Sequence, residues 1–274
     1  MDNLNNNVLG NSDCKEGAPK NKPHCTMILL AGGSGKRMGS KVAKQYLEIN
    51  EKPILWYSLM AVEKSEVIDE CILVIRPDDA EYVRDELLAK YFFTKVTRIA
   101  DAGKERYESV WSALVSLKNI NWMAIGPDKQ EELLADEKLS EDLPTDYIFI
   151  HDGARPFLTE EIIKRNYDEV IKSGACVTAV KSKDTVKIVD DNGNVISTPN
   201  RNNVRNIQTP QTFKAGLIFE AYRRAIYDER EDLTDDAMTV EISGLATVSI
   251  AEGSYDNIKI TTPEDLTIAE IFSS

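Results

Sequence analysis

The sequence predicts an α/β fold in a single domain: a mostly parallel sheet covered by helices, with a protruding β-hairpin arm. Three observations lead there. Short apolar runs with few polar breaks alternate with helical patterns from Thr26 onward, as expected of strands buried on both faces. The 274 residues allow one large domain or two small ones, but no interdomain linker and no internal repeat divides them. One segment, TVKIVDDNGNVIST (185–198), breaks the rhythm. Two β-rich runs there flank Asp191-Asn192-Gly193-Asn194, and Asn-Gly is a preferred hairpin turn.

The elements follow in order. Residues 1–25 are rich in Asn, Lys, Gly and Pro without apolar period, so a disordered tail is expected, with order from Thr26. MILLA (27–31) reads as a buried strand and 53–65 as a helix with Pro53 in its first turn. CILVI (71–75) is a strand, 78–91 a helix, VTRIA (96–100) a strand and 104–117 a helix. DYIFIH (146–151), helix 160–173 and ACVTAV (175–180) continue the alternation. After the hairpin come a strand at 204–209, helices at 214–229 and 235–243, a strand at 246–251 and a helix from Pro263. Between 126 and 146 lie eight acidic and two basic residues, read as a solvated helix or loop inserted before a strand. The hairpin is either an arm for a partner subunit or packed on its own domain.

Lys plus Arg number 33 and Asp plus Glu 46, a net charge of −13. That argues against a nucleic-acid or anionic-membrane partner and leaves a local basic pocket open. No apolar run approaches the ~20 residues of a membrane span, and the N-terminus has no signal-peptide core. Cys14, Cys25, Cys71 and Cys176 lie far apart, which disfavours a zinc site and fits a cytoplasmic protein. Cys71 and Cys176, inside apolar runs, read as small buried hydrophobes.

After the first strand comes Ala31-Gly32-Gly33-Ser34-Gly35-Lys36-Arg37-Met38-Gly39. Glycines let backbone N–H groups approach an oxyanion. The spacing fits neither a dinucleotide fingerprint, which needs GxGxxG entering a helix, nor a P-loop, which needs GxxxxGK before Ser or Thr. A glycine loop with Lys36, Arg37, Lys41 and Lys44 in an acidic protein points to bound phosphate.

The stretch LLAGGSGKRMGSKVAKQYLEINEKPIL (29–55) resembles the nucleotidyltransferase signature of the sugar-nucleotide pyrophosphorylase superfamily. More narrowly, it resembles the 2-C-methyl-D-erythritol 4-phosphate cytidylyltransferases of non-mevalonate isoprenoid synthesis. Further matches follow in order: HDGARP (151–156), DTVK (184–187), QTPQ (208–211), TDDA (234–237) and NIKITTPEDL (257–266). The resemblance spans about 26–272 and implies a Rossmann-like nucleotidyltransferase domain. Ala43 stands where a Pro usually precedes the lysine, Lys104 where a small or acidic residue is common, and Asn203-Val204-Arg205 in place of Gly-Leu-Trp.

The implied reaction joins CTP to a polyol phosphate and releases pyrophosphate. A phosphate nucleophile needs no general base; the site must align two polyanions and neutralise charge. By resemblance, Arg37 and Lys44 stabilise the transition state. Ala31, Gly32, Gly33, Gly35 and Lys44 cradle CTP, and Gly103 and Ser109 read cytosine and ribose. Asp152 lies near Mg²⁺, or another divalent cation, and the polyol. Arg155, Thr185, Thr209, Thr234 and Lys259 contact the polyol phosphate. Arg201 reaches the neighbouring subunit's site from an arm at about 185–205, which implies a homodimer. His151 reads as a structural hydrogen-bonder. The alternatives are a ribitol 5-phosphate cytidylyltransferase, a non-catalytic nucleotide-binding protein of the same fold, and a Rossmann oxidoreductase, which the glycine spacing weakens.

Overall fold

Alternation inside the first strand sets the architecture. In β1 (Cys25–Leu30), Ile28 packs with Ile72, Trp111 and Phe219, while Met27 and Leu29 pack with Leu55, Leu59 and Ile162. Successive side chains of a strand point to opposite faces, so a strand apolar at both parities must be covered twice. The computed structural model describes residues 22–33 and 43–273 and shows both covers.

A small hairpin, β2 (Glu48–Ile49) and β3 (Lys52–Pro53), leads into α1 (Ile54–Lys64) and β4 (Glu70–Ile75). A short α2 (Ala80–Tyr82) runs on as a π-helix, Val83–Ala89, within the helix expected at 78–91. Next come β5 (Val96–Asp101), α3 (Arg106–Ser116), α4 (Pro127–Ala135), β6 (Tyr147–Asp152), α5 (Glu160–Ser173) and β7 (Ala175–Lys181). The arm carries β8 (Ile188–Val189) and β9 (Val195–Ser197). The chain ends with β10 (Arg205–Lys214), α6 (Ala215–Tyr227), α7 (Asp236–Ser243), β11 (Ser249–Glu252) and α8 (Pro263–Phe272).

The seven-stranded sheet has the order β11-β7-β10-β6-β1-β4-β5. Its pairings are parallel except at β10, which runs antiparallel to both β6 and β7. β10 is longer than the strand expected at 204–209. Pro210 cannot donate to a ladder, and the register with β7 shifts between Ile207 and Gln211, so the strand continues past it. The chain lays β4 and β5 on one side of β1 and β6 on the other. That reversal is a switch point, and open α/β sheets bind ligands outside the carboxyl ends of the strands there.

Two expectations are corrected. Order does not begin at Thr26: β1 starts at Cys25, and the Lys22 ammonium donates to the Val67 carbonyl at 3.2 Å. Cys25 is wholly buried, and its N–H donates to Asp69 Oδ2 at 2.8 Å; residues 1–21 lie outside the described residues. Nor is the 126–146 insertion merely solvated. Its eight acidic side chains all stay exposed, but Leu134 and Leu139 join the core beside Trp122, Phe219 and Tyr222. The Arg223 guanidinium also donates to the Leu134 carbonyl.

The hairpin forms where expected. Asp190 accepts the N–H groups of Asn192 and Asn194, at 3.0 and 2.8 Å, and Gly193 takes φ +82°. Ile188, Val189, Val195 and Ile196 are at least half exposed in the single chain, so the arm is not packed on its own domain. Cys71 and Cys176 are fully buried, as expected. Burial, with nearby acids, pushes the thiols of Cys25 and Cys176 up to about 12 and that of Cys71 higher still. Among the described residues no helix is long and apolar enough to cross a membrane.

Candidate active site

The carboxyl ends of β1, β4, β5 and β6 open into a cleft of about 560 Å³. Ala31, Gly32 and Gly33 leave β1, Arg76 leaves β4, Gly103 and Lys104 follow β5, and Asp152 ends β6. Lys44, Ser109 and Lys259 complete the ring with Gln45 and Arg106. A second cleft of about 240 Å³ adjoins it, lined by Arg155, Gln208, Thr209, Gln211, Thr234 and Asp235. Arg106, Asp152 and Lys259 belong to both.

On the first side, shape comes from backbone packing. A Cβ on Gly32 would lie 2.2 Å from the Ala102 Cβ, and one on Gly103 would lie 2.3 Å from the Glu108 Cβ. Only glycine lets these two loops lie so close to their neighbours. The Gly103 N–H donates to Ser109 Oγ at 3.0 Å, and the hydroxyl donates to the Glu105 carbonyl at 3.1 Å. A capping box between Glu105 and Glu108 starts α3 and fixes this turn. Opposite, Gln45 Nε2 donates to the Ala31 carbonyl at 2.6 Å and Tyr46 hydroxyl meets Asp79 at 3.1 Å. Between these anchors and the first strand, Lys44 Nζ donates to the Ile260 carbonyl at 3.3 Å.

The second side is built from charge. Asp152 is 8% exposed. Lys259 Nζ sits 2.8 Å from its Oδ2, Arg106 Nε 3.5 Å from Oδ1, and Arg155 Nε 3.9 Å from Oδ2. Burial alone would raise this carboxyl's pKa; Arg106, Lys259 and Arg155 overcome it and hold the group well below the usual carboxylate range. Arg155 is itself fixed, Nη1 donating to the Asn257 carbonyl at 2.8 Å. The Asp152 N–H donates to Thr209 Oγ1 at 3.1 Å. That hydroxyl can then donate to His151 Nδ1 at 2.9 Å, which leaves the Nε2 proton for the Arg155 carbonyl at 3.3 Å. His151 is fully buried, and burial pushes its pKa down to about 4 despite the Asp152 charge. It is a neutral hydrogen-bonding strut, as expected, and has no opening to act as a base.

Of the residues expected at the site, Ala31, Gly32, Gly33, Lys44, Gly103, Ser109, Asp152, Arg155, Thr209, Thr234 and Lys259 line one cleft or the other. Gly35 and Arg37 lie outside the described residues. Thr185 and Arg201 line neither cleft; both are exposed, and Arg201 Nη1 donates to the Lys183 carbonyl at 3.3 Å, at the base of the arm. Sequence reasoning missed Arg76, Gln45, Gln211, Asp235 and, above all, Arg106. Gln211 and Asp235 sat inside quoted motifs. Arg106 stood two residues beyond Lys104 in a segment read only as a helix.

Comparison with known proteins decides the family. The family model described as 2-C-methyl-D-erythritol 4-phosphate cytidylyltransferase matches in two overlapping segments, residues 25–143 and 126–274. The chain belongs to this family. It is 43% identical over 249 residues to the 2-C-methyl-D-erythritol 4-phosphate cytidylyltransferase of Lachnospira eligens, covering 90% of this chain and 98% of the relative. That of Lachnoclostridium phytofermentans is 42% identical over 245 residues, covering 89% and 94%. Among solved structures, the 4-diphosphocytidyl-2C-methyl-D-erythritol synthase of Anaerococcus prevotii superposes with a TM-score of 0.73 at 33% identity, covering 92% of this chain and 96% of the other. The Francisella tularensis cytidylyltransferase gives 0.67 at 27% identity, covering 90% and 99%. The family is one of CTP-dependent nucleotidyltransferases, and the two joined clefts of this chain suit that chemistry.

Proposed function

We propose that this chain transfers the cytidylyl group of CTP to 2-C-methyl-D-erythritol 4-phosphate, giving the CDP-alcohol and pyrophosphate for isoprenoid precursor synthesis. The observation that carries it is the pair of adjoining clefts sharing Arg106, Asp152 and Lys259. The glycine-walled cleft takes CTP: Ala31, Gly32 and Gly33 cradle the phosphates, Gly35 joins them by family resemblance alone, and Gly103 and Ser109 face cytosine and ribose. The charged cleft takes the acceptor, through Asp152, Arg155, Thr209, Thr234 and Lys259. The acceptor phosphate, ionised near neutral pH, attacks the α-phosphorus of CTP and pyrophosphate leaves. Arg37 and Lys44 offset the charge that builds on the equatorial and leaving oxygens. His151, neutral and sealed, takes no proton.

A divalent ion that draws most of its ligands from the nucleotide would take Asp152 Oδ2 once Lys259, now 2.8 Å from that oxygen, turns to a phosphate. Mg²⁺ bound there would neutralise phosphate charge. The chain works in the cytoplasm as a homodimer. The exposed Ile188, Val189, Val195 and Ile196 are covered by a partner's arm, and Arg201 and Thr185 serve the acceptor across that interface.

The test is pyrophosphate release from CTP with methylerythritol phosphate and, separately, with ribitol 5-phosphate. Release with the first acceptor is expected. Release with ribitol 5-phosphate alone would reassign the substrate, and none with either would leave a binding protein. For the arm, Arg201→Ala and Lys44→Ala subunits, each nearly inactive, should regain activity when co-assembled. Confirmed mixed dimers without recovery would place Arg201 outside the neighbouring site.

A further inference from the structure

Arg106 is shared by both clefts, yet both ends of its guanidinium are already engaged. Nη1 and Nη2 donate to the two oxygens of Asp236, at 2.8 and 2.6 Å. Asp236 is fully buried, and Tyr222, also buried, donates its hydroxyl to Asp236 Oδ1 at 2.7 Å. The base of this clamp is fixed in turn. Asp235 caps α7 by accepting from the Met238 N–H at 2.9 Å, and Gln211 on β10 donates to Asp235 at 3.0 Å while accepting from the Ala237 N–H at 2.9 Å. With the fork spent on Asp236, the remaining edge, Nε, faces Asp152 Oδ1 at 3.5 Å.

We propose that Asp236 and Tyr222 clamp Arg106 between the two clefts, and that Arg106, so held, is a positioning residue that sets the plane of the Asp152 carboxylate for the acceptor. This rests on the reaction proposed above. The torsion that orients an aspartate carboxylate is broad, so one cation cannot fix its plane. Lys259 approaches Oδ2 and Arg106 approaches Oδ1; together they do. Both side chains are about a third exposed, but Lys259 is a point charge on a flexible stem, whereas Arg106 is a planar fork locked at its far end on Asp236. When Lys259 turns to an incoming phosphate, Arg106 at Oδ1 and Arg155, 3.9 Å from Oδ2, still hold the carboxylate between them. The strongly raised guanidinium pKa, reached against burial through Asp236 and Asp152, agrees with a cation committed to both partners.

A lysine at 106 keeps the charge and loses the fork. Steady-state kinetics of Tyr222→Phe, Arg106→Lys, Asp152→Asn and the Arg106→Lys/Asp152→Asn double variant test the idea. Tyr222→Phe should raise the KM for methylerythritol phosphate about fivefold, the weight of one hydrogen bond, and leave the KM for CTP within twofold. Arg106→Lys should raise the acceptor KM further. In the Asp152→Asn background it should change kcat/KM for the acceptor less than twofold, because the group it positions is already altered. An undiminished effect of Arg106→Lys in that background would overturn the proposal, as would a CTP KM rising in step with the acceptor KM. The phenyl ring of Tyr222→Phe still fills the core, so its acceptor KM remains readable if the arginine variant folds poorly. A wild type that releases no pyrophosphate with this acceptor would overturn the reaction and the positioning role together; an active wild type without the coupling would overturn the positioning role alone.

Discussion

The two clefts are built by different means. Around the cleft proposed for the nucleotide the walls are main chain, and their shape depends on what glycine allows: Gly32 against Ala102 and Gly103 against Glu108. Around the cleft proposed for the acceptor the walls are side chains held by charge, with three cations about one carboxylate and a buried Asp236–Tyr222 base behind them. A wall of backbone responds to added volume, because close-packed atoms have nowhere to go. A wall of paired charges responds to lost charge, because the partner left behind stays buried and unsatisfied. Size changes on one side and charge changes on the other should therefore give separable kinetic signatures.

The largest effect is expected at Lys44, which lines the glycine-walled cleft close to the shared Lys259. Lys44 is carried on a single 3-10 turn (Lys44–Tyr46), fixed by Gln45 to Ala31 and by Tyr46 to Asp79, and its ammonium reaches the Ile260 carbonyl beside Lys259. A cation there serves whatever charge forms between the substrates. Lys44→Ala should lower kcat and kcat/KM roughly 10²–10³-fold, by analogy with the loss of one oxyanion donor, with CTP binding changed far less. A variant that keeps near wild-type kcat would remove Lys44 from the transition state.

The same contrast explains what could be seen in the sequence. Buried strands announced themselves, because β1, β4, β6 and β7 are apolar at both parities, and HDGARP and TDDA marked where the acceptor side would lie. The ends of elements were less clear. Cys25 was assigned to a tail, since the residues before it are polar and its bond to Asp69 spans 44 positions. Arg106 was passed over for a related reason: its partners, Asp152 and Asp236, lie 46 and 130 residues away. A charged residue in a helical pattern looks solvated until tertiary contacts bury its partner. The insertion misled in the same way, with its eight acids outnumbering the four leucines, Leu133, Leu134, Leu139 and Leu143, that dock it.

A smaller effect sharpens the volume side of the comparison. At Gly103 an added methyl must displace Glu108, whose carboxylate accepts the N–H groups of Lys104 and Glu105 at 2.6 and 2.9 Å. Gly103→Ala should therefore distort the turn proposed to face the cytidine and raise the KM for CTP about tenfold, a cost near 1.4 kcal/mol. The acceptor KM should hardly move. Equal rises in both would mean that the two walls are not independent.

The smallest effect on turnover, and a clear one on stability, is expected from His151 beneath the acceptor cleft. Its pKa in the folded chain is about 4, lowered by burial and by Arg155 against the opposing charge of Asp152; unfolded, it returns to about 6.5. Above pH 6.5 both states are neutral and the group contributes nothing. As pH falls from 6.5 to 4 the unfolded chain takes up a proton that the folded chain refuses, so stability is lost, on the order of 3 kcal/mol in total. Carboxylates held low, such as Asp152, shift in the opposite sense: their contribution is fully present above about pH 5 and is lost progressively as pH falls further. The two windows overlap only below about pH 5, which makes the histidine's share measurable above it. Thermal unfolding followed from pH 7.5 to 4.5 should show a steady fall in Tm. The His151 ring resonances of the folded protein should stay at their neutral positions down to about pH 5. A His151 that titrates near 6.5 in the folded chain would mean that water reaches it, and the floor of the acceptor cleft would then be open where the geometry has it closed.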